Sequence, residues 1–107
     1  MARLDAYTEC IYAMDGVQFR WSEEKRAANL RKHGLDFADA IYVFSGPTVT
    51  FEDRRFSYSE SRYITVGLFR GAPVLIVHTE TTHEIRIISF RKATHAEAKE
   101  TLDQVEN

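Results

Sequence analysis

The chain has a single cysteine, Cys10, in 107 residues. One thiol excludes an internal disulfide and a cysteine-built zinc site, and it fits a reducing compartment. Only two prolines and five glycines occur, too few for a fibrous or disordered chain. No apolar run approaches the ~20 residues of a membrane-spanning helix. The first 15 residues include Asp5, Glu9 and Asp15 and lack the charged-then-apolar order of a signal peptide, so cytoplasmic residence is expected. The histidines are scattered at 33, 78, 83 and 95, with no i,i+4 pair and no neighbouring Asp/Glu cluster. Neither a metal nor another cofactor is therefore expected. No Gly-x-Ser-x-Gly turn is present to expose a serine nucleophile, and Ser89 reads as a small residue in a packed strand.

What is present is a balanced composition, 44% hydrophobic and 28% charged with a net charge of −2, suited to one compact domain. A protein that simply coats nucleic acid is usually basic overall. Here the charge is local instead. Lys25, Arg26, Arg31 and Lys32 follow one another without an acid, residues 36–60 lean acidic, and Arg86, Arg91 and Lys92 form a second basic run.

The alternation in "VQFRW" (17–21) predicts a first strand. Ser22 as N-cap, Glu23 and Glu24 in the first turn, Arg31 to His33 in the last and Gly34 as the stop predict a helix over 23–33. Asp36 caps a second helix, "FADAIYVF", with Phe37, Ala40, Ile41 and Phe44 on one face. "SGP" at 45–47 ends it, 48–52 is β-prone, and the polar stretch 53–61 reads as a mobile loop. Strands follow at 62–69, 74–79 and 84–91, joined by hairpin-length turns. Thr94 and Glu97 make a capping box that opens a helix over about 94–104. The order β-α-α-β-β-β-β-α predicts an α+β domain, a small antiparallel sheet with helices packed on one face.

Successive strand residues face opposite sides. Pairing Phe69 with Val74, and centring the second hairpin on Thr81, groups Ile64, Val66, Leu68, Leu75, Val77, Ile85 and Ile87 as a core face. The opposite face then carries Tyr63, Thr65, Phe69, Ile76, His78, Glu84, Arg86, Ile88 and Phe90. In that register His78 and Arg86 are diagonal neighbours able to share an anion, and a slip of one residue separates them. Each of these residues also has an ordinary reading: a packed histidine, a salt-bridged arginine, and Lys32–His33 complementing a helix dipole.

"FRWSEEKRAANLRKHG", "DFADAIYVFSGP", "RYITVG", "LIVHT" and "IRIISFRKATHAE", in this order and spacing, resemble the BrnT family of toxins from bacterial type II toxin–antitoxin systems over roughly residues 17–100. The resemblance implies a RelE-like fold and a metal-independent endoribonuclease acting on mRNA. It also implies a BrnA-like antitoxin whose DNA-binding part represses the shared operon, so that DNA is met only indirectly. A toxin dimer or a 2:2 toxin–antitoxin assembly is the expected form of association, with no membrane partner. Two departures stand out. Ser22 occupies the cap where the family usually has Asp, and residues 1–16 precede the usual start, either as an extension or through a misassigned start near Met14. An N-terminal peptide containing Arg3–Cys10 in the native protein's mass spectrum would reject the latter. Residues 17–104 are the expected toxin domain.

RNA can be cut by its own 2′-OH if the protein aligns the phosphate, offsets charge on its oxygens and moves two protons. Guanidinium forks match phosphate oxygens, which casts Arg86 and Arg91 as clamps, with Lys92 and Arg62 as further phosphate contacts. His78 and His33 are the proton-transfer candidates, since the unperturbed histidine pKa lies near neutrality, and Lys32 is an electrostatic partner or, if desolvated, a base. Tyr63 or Phe90 could stack a base. The catalytic candidates are thus Arg86, Arg91, His78, Lys32 and His33, and the RNA-binding ones are Arg62, Tyr63, Phe90 and Lys92. A catalytically weak corepressor module of the same fold is the competing reading.

Overall fold

The computed structural model describes residues 9–14, 16–55, 57 and 59–106; residues 1–8 of the expected extension lie outside them. In chain order the elements are β1 (Glu9–Met14), β2 (Val17–Ser22), α1 (Glu23–His33), α2 (Phe37–Phe44), β3 (Val49–Glu52), β4 (Tyr63–Phe69), β5 (Ala72–Glu80), β6 (Glu84–Lys92) and α3 (His95–Glu106). The fold class is α+β, as expected. The element not foreseen is β1, which lies in the segment read as an extension and pairs antiparallel with β2 from Glu9–Ser22 to Met14–Val17. Among the described residues the sheet has six strands in the order β1-β2-β6-β5-β4-β3. All neighbours are antiparallel except β2 and β6.

The cap chemistry sits where the sequence puts it. The Ser22 side chain accepts from the Lys25 backbone N–H, and Gly34 closes α1 at φ 73° with its N–H on Leu30 O, a left-handed conformation that glycine adopts without Cβ strain. Asp36 accepts from Ala38 N at 3.0 Å. The same carboxylate receives Arg26 Nε and Nη2, each at 2.9 Å, so the cap of α2 is bolted to α1. Phe37, Ala40, Ile41 and Val43 of α2 are buried against Phe19, Trp21, Val74, Ile76, Ile87 and Phe90. The helix lies close on β4: a Cβ at Gly67 would come 2.7 Å from Val43 Cγ1.

Parity along the first hairpin is as expected, although the tight Arg70–Gly71 turn pairs Phe69 with Ala72. The second hairpin needs a correction. It pairs Glu80 with Ile85, Thr79 with Arg86 and His78 with Ile87, then shifts at Val77/His78 so that Val77 meets Ser89 and Ile76 meets Phe90. The irregularity gives β6 an extra residue, as a β-bulge does. Residues 84–88 are therefore turned over relative to the expected register. Ile85 and Ile87 join the core under α2, while Arg86 shares a side with Thr79.

The helices also divide between the faces. Ile64, Val66, Leu75 and Val77 form a second cluster with Phe51, Ile88 and Ala93, and Ile64, Val66 and Leu75 adjoin Glu97, Glu100 and Thr101 of α3. The face foreseen as open, with Thr65, Ile76, His78 and Phe90, is the one covered by α2: all four side chains are fully buried.

Candidate functional site: a cationic groove between α1 and β6

β2 accompanies β6 only from Glu84 to Arg86. At Ser22 the chain turns into α1, so among the described residues the remaining edge of β6 has no strand beside it on that side. A bare edge exposes backbone donors and acceptors that need partners. Asn29 supplies them. Its Nδ2 donates to Phe90 O at 2.7 Å and to Leu35 O at 3.0 Å, and its Oδ1 accepts from Phe90 N at 3.1 Å.

This contact lays one stripe of α1 along β6. Lys25, Ala28, Asn29 and Lys32 recur at the 3, 4 and 7 spacing of a helix face. Together with His33, Ile88 and Ser89 they line an open groove of about 280 Å³. Among the described residues no carboxylate lines it. Lys32 and His33, expected on helix-terminal grounds, are thereby brought to β6. Lys25 and Asn29 were missed; their spacing to Lys32 was the signal, and it needed β6 to give it meaning.

His33 is the titratable group of the groove. Partial desolvation, Lys32 and Arg91 all push its pKa below the ordinary value. It is therefore neutral at pH 7 and able to accept a proton. Arg91 is close enough for its charge to be felt at His33, but its own fork is engaged. Nη1 and Nη2 lie 2.8 and 2.7 Å from the two Glu97 oxygens. Glu97 is pulled down to about 2, mainly by the hydrogen bond from Arg91, and it also completes the capping box with Thr94. Arg91 is a fixed charge beside the groove with its fork closed by a carboxylate.

The other expected residues are dispersed. Arg86 is half-buried on β6, paired across to Arg20, whose guanidinium lies 3.1 Å from Glu84. The expected His78–Arg86 neighbourhood is absent, because the register shift places the two on opposite faces of the sheet. His78 is fully buried, edge-on to Phe44 at 5.2 Å, with Nε2 2.7 Å from Thr65 Oγ1. Burial drives its pKa down to about 4, so the ring is a neutral core member. Phe90 is also fully buried, edge-on to Phe69, which leaves no face for a base. Tyr63 stacks on His78 at 6.1 Å. Arg62 is half-buried at the start of β4, its carbonyl taken by Asp53 N–H, and Lys92 is exposed.

A second hollow, about 300 Å³, lies under α3 with Phe51, Ile64, Val66 and Leu75 as its floor. Its rim is acid-rich, and the cations there are paired: Arg54 with Glu52 and Arg55 with the buried Asp53. The loop expected to be mobile is thus anchored at Asp53. Among the described residues no group of three or more His, Cys, Asp or Glu gathers as metal ligands, and no helix is long and apolar enough to cross a membrane.

No curated protein matches the chain. A family model for the ribonuclease toxin BrnT of type II toxin–antitoxin systems matches residues 21–97, a span that holds every residue of the α1/β6 groove. The match covers well over half of the chain and agrees with the resemblance carried by the sequence motifs: this protein belongs to the BrnT family of type II ribonuclease toxins.

Proposed function

We propose that the protein is a metal-independent endoribonuclease that cleaves mRNA by 2′-OH attack and so inhibits translation in the cytoplasm. In the cell a BrnA-like antitoxin neutralises it, in a dimer or 2:2 assembly that meets DNA only through the antitoxin. The observation that carries this reading is the α1/β6 groove, which presents two lysines and a neutral histidine with no carboxylate among them. An RNA backbone is polyanionic, and an acid-free cationic groove is where its phosphates are stabilised.

Lys25 and Lys32 hold phosphates flanking the scissile one. His33 Nδ1 or Nε2 takes the proton from the 2′-OH as that oxygen bonds to phosphorus. The P–O5′ bond breaks, the 5′-oxygen takes a proton returned through water from the His33 imidazolium, and a 2′,3′-cyclic phosphate remains. Arg86 supplies fixed charge and the Arg91–Glu97 pair orientation alongside, with Lys92 and Arg62 as outer contacts.

A second reading, a corepressor module with weak catalysis, is favoured by one specific finding. Arg91 is closed by Glu97 and His78 lies in the core, so two of the five expected catalytic groups are committed elsewhere. Incubating the full chain with RNA in EDTA separates the readings. Fragments with cyclic-phosphate ends support the nuclease, and intact RNA at high protein concentration supports the module.

A further inference from the structure

The way α1 is attached to the sheet is unusual. A surface helix is normally oriented by an apolar stripe pressed into the core. The only buried residue of α1 is Asn29. Leu30, the longest apolar side chain of the helix, is exposed. Beside the Arg26–Asp36 pair that ties α1 to α2, what holds α1 against β6 is therefore a carboxamide.

That carboxamide is saturated. Both Nδ2 hydrogens are used, on Phe90 O and Leu35 O, and Oδ1 accepts from Phe90 N. Phe90 opposes Ile76 across the β5–β6 ladder, and both its backbone groups face the edge that β2 leaves uncovered. Asn29 thus closes a one-residue imitation of a strand pairing. The bond to Leu35 O ties in the α1–α2 connection as well. Lys25 and Lys32 lie one turn to either side of Asn29 on the same stripe.

We propose that Asn29 is a positioning residue: by clasping the Phe90 backbone it fixes Lys25, Lys32 and His33 of α1 at the distance from β6 that an RNA phosphate requires. This rests on the nuclease reading and adds the device that sets its geometry. A side chain longer by one methylene keeps the amide chemistry but moves the helix by about 1 Å, and a displacement of that size at a reacting centre can cost on the order of 100-fold in rate.

The test uses the full chain and Asn29→Gln, which keeps donors and acceptor, beside Asn29→Asp, which keeps the size but turns a carboxylate toward two carbonyls. With a short fluorescent RNA, Asn29→Gln should lower kcat by at least ~10-fold while KM changes less than ~3-fold. Asn29→Asp should lose activity at neutral pH and regain part of it toward pH 5, as the carboxyl recovers a donor. Glutamine activity within ~2-fold of the parent, or an aspartate variant with the parent's pH profile, overturns the proposal and leaves Asn29 as a simple staple.

Hydrogen exchange on the unmutated chain gives a reading independent of how the variants fold. The Phe90 amide should exchange only with the most protected core amides, and exchange at the rate of surface amides overturns the clasp. If the parent chain leaves RNA intact, the nuclease reading fails by itself. The clasp is then judged by Phe90 exchange and by whether Asn29→Gln shifts the Lys25, Lys32 and His33 resonances.

Discussion

Two hollows among the described residues are nearly equal in size and opposite in character. The groove between α1 and β6 is walled by Lys25, Lys32 and His33 and holds no acid. The cleft under α3 has as many basic groups near it, yet Arg54, Arg55 and Arg91 are answered by Glu52, Asp53 and Glu97. A count of basic residues would rank the two alike. What separates them is whether a carboxylate arrived first. An arginine fork already filled at 2.7 Å offers an incoming phosphate little unless its partner is displaced.

The largest effect that sharpens this contrast is on activity. Replacing Lys25 and Lys32 together by alanine should reduce RNA cleavage by ~10²-fold or more, since both phosphate contacts vanish, with thermal stability nearly unchanged for two exposed side chains. Arg86→Ala should likewise abolish growth arrest on expression while antitoxin binding persists. Retained toxicity at equal protein level would remove Arg86 from the site.

Next in size is a pH effect from the core. Folded His78 titrates near 4 and its unfolded counterpart near 6.5, so the unfolded chain binds the extra proton between those values. Stability should fall as pH drops from about 6.5 to about 4, by on the order of 3 kcal/mol, and this contribution should level off below. Urea unfolding of the parent and His78→Gln across that range measures it; identical slopes would contradict a neutral buried imidazole.

The α3 side should respond through stability. Glu97 titrates near 2 when folded and near 4.5 when free, so its contribution is present above 4.5 and lost as pH falls toward 2. Both partners are about a quarter exposed, and solvent screening reduces the value of Glu97→Gln to roughly 1–2 kcal/mol at neutral pH. Loss of RNA affinity without loss of stability would move the substrate surface to the cleft. The smallest effect is on salt: Lys32→Ala should lower the slope of log affinity against log salt by about one, and an unchanged slope would reduce Lys32 to helix stabilisation.

Local chemistry was legible in the sequence wherever one segment contains its own reason. The Ser22 and Asp36 caps, the Gly34 stop and the Thr94–Glu97 box are each settled within a few residues, and all are found. The first hairpin's parity survived even a turn two residues tighter than expected, because a shift of two leaves every side chain on its own face. The second hairpin did not, since a single extra residue near Val77 reverses five positions of β6. That reversal separated His78 from Arg86 and moved Ile87 from the side of Ile64 and Val66 to the core under α2. Asn29 was invisible for a different reason. An asparagine in mid-helix is unremarkable until another segment presents a bare strand edge, 61 residues away in sequence. The closing of Arg91 was half-visible: Glu97 was read as a cap, and its second function as the arginine's partner depends on where β6 ends.

The contrast between the hollows is decided by mapping where a non-cleavable RNA sits. A short RNA oligonucleotide with a 2′-O-methyl group on every sugar, titrated into the isotope-labelled full chain, should shift the amide signals of Lys25, Lys32, His33, Ile88 and Ser89 and leave Arg54, Arg55, Glu100 and Thr101 unmoved. Shifts confined to the α3 cleft, or no shifts at all near physiological salt, would contradict an RNA groove between α1 and β6.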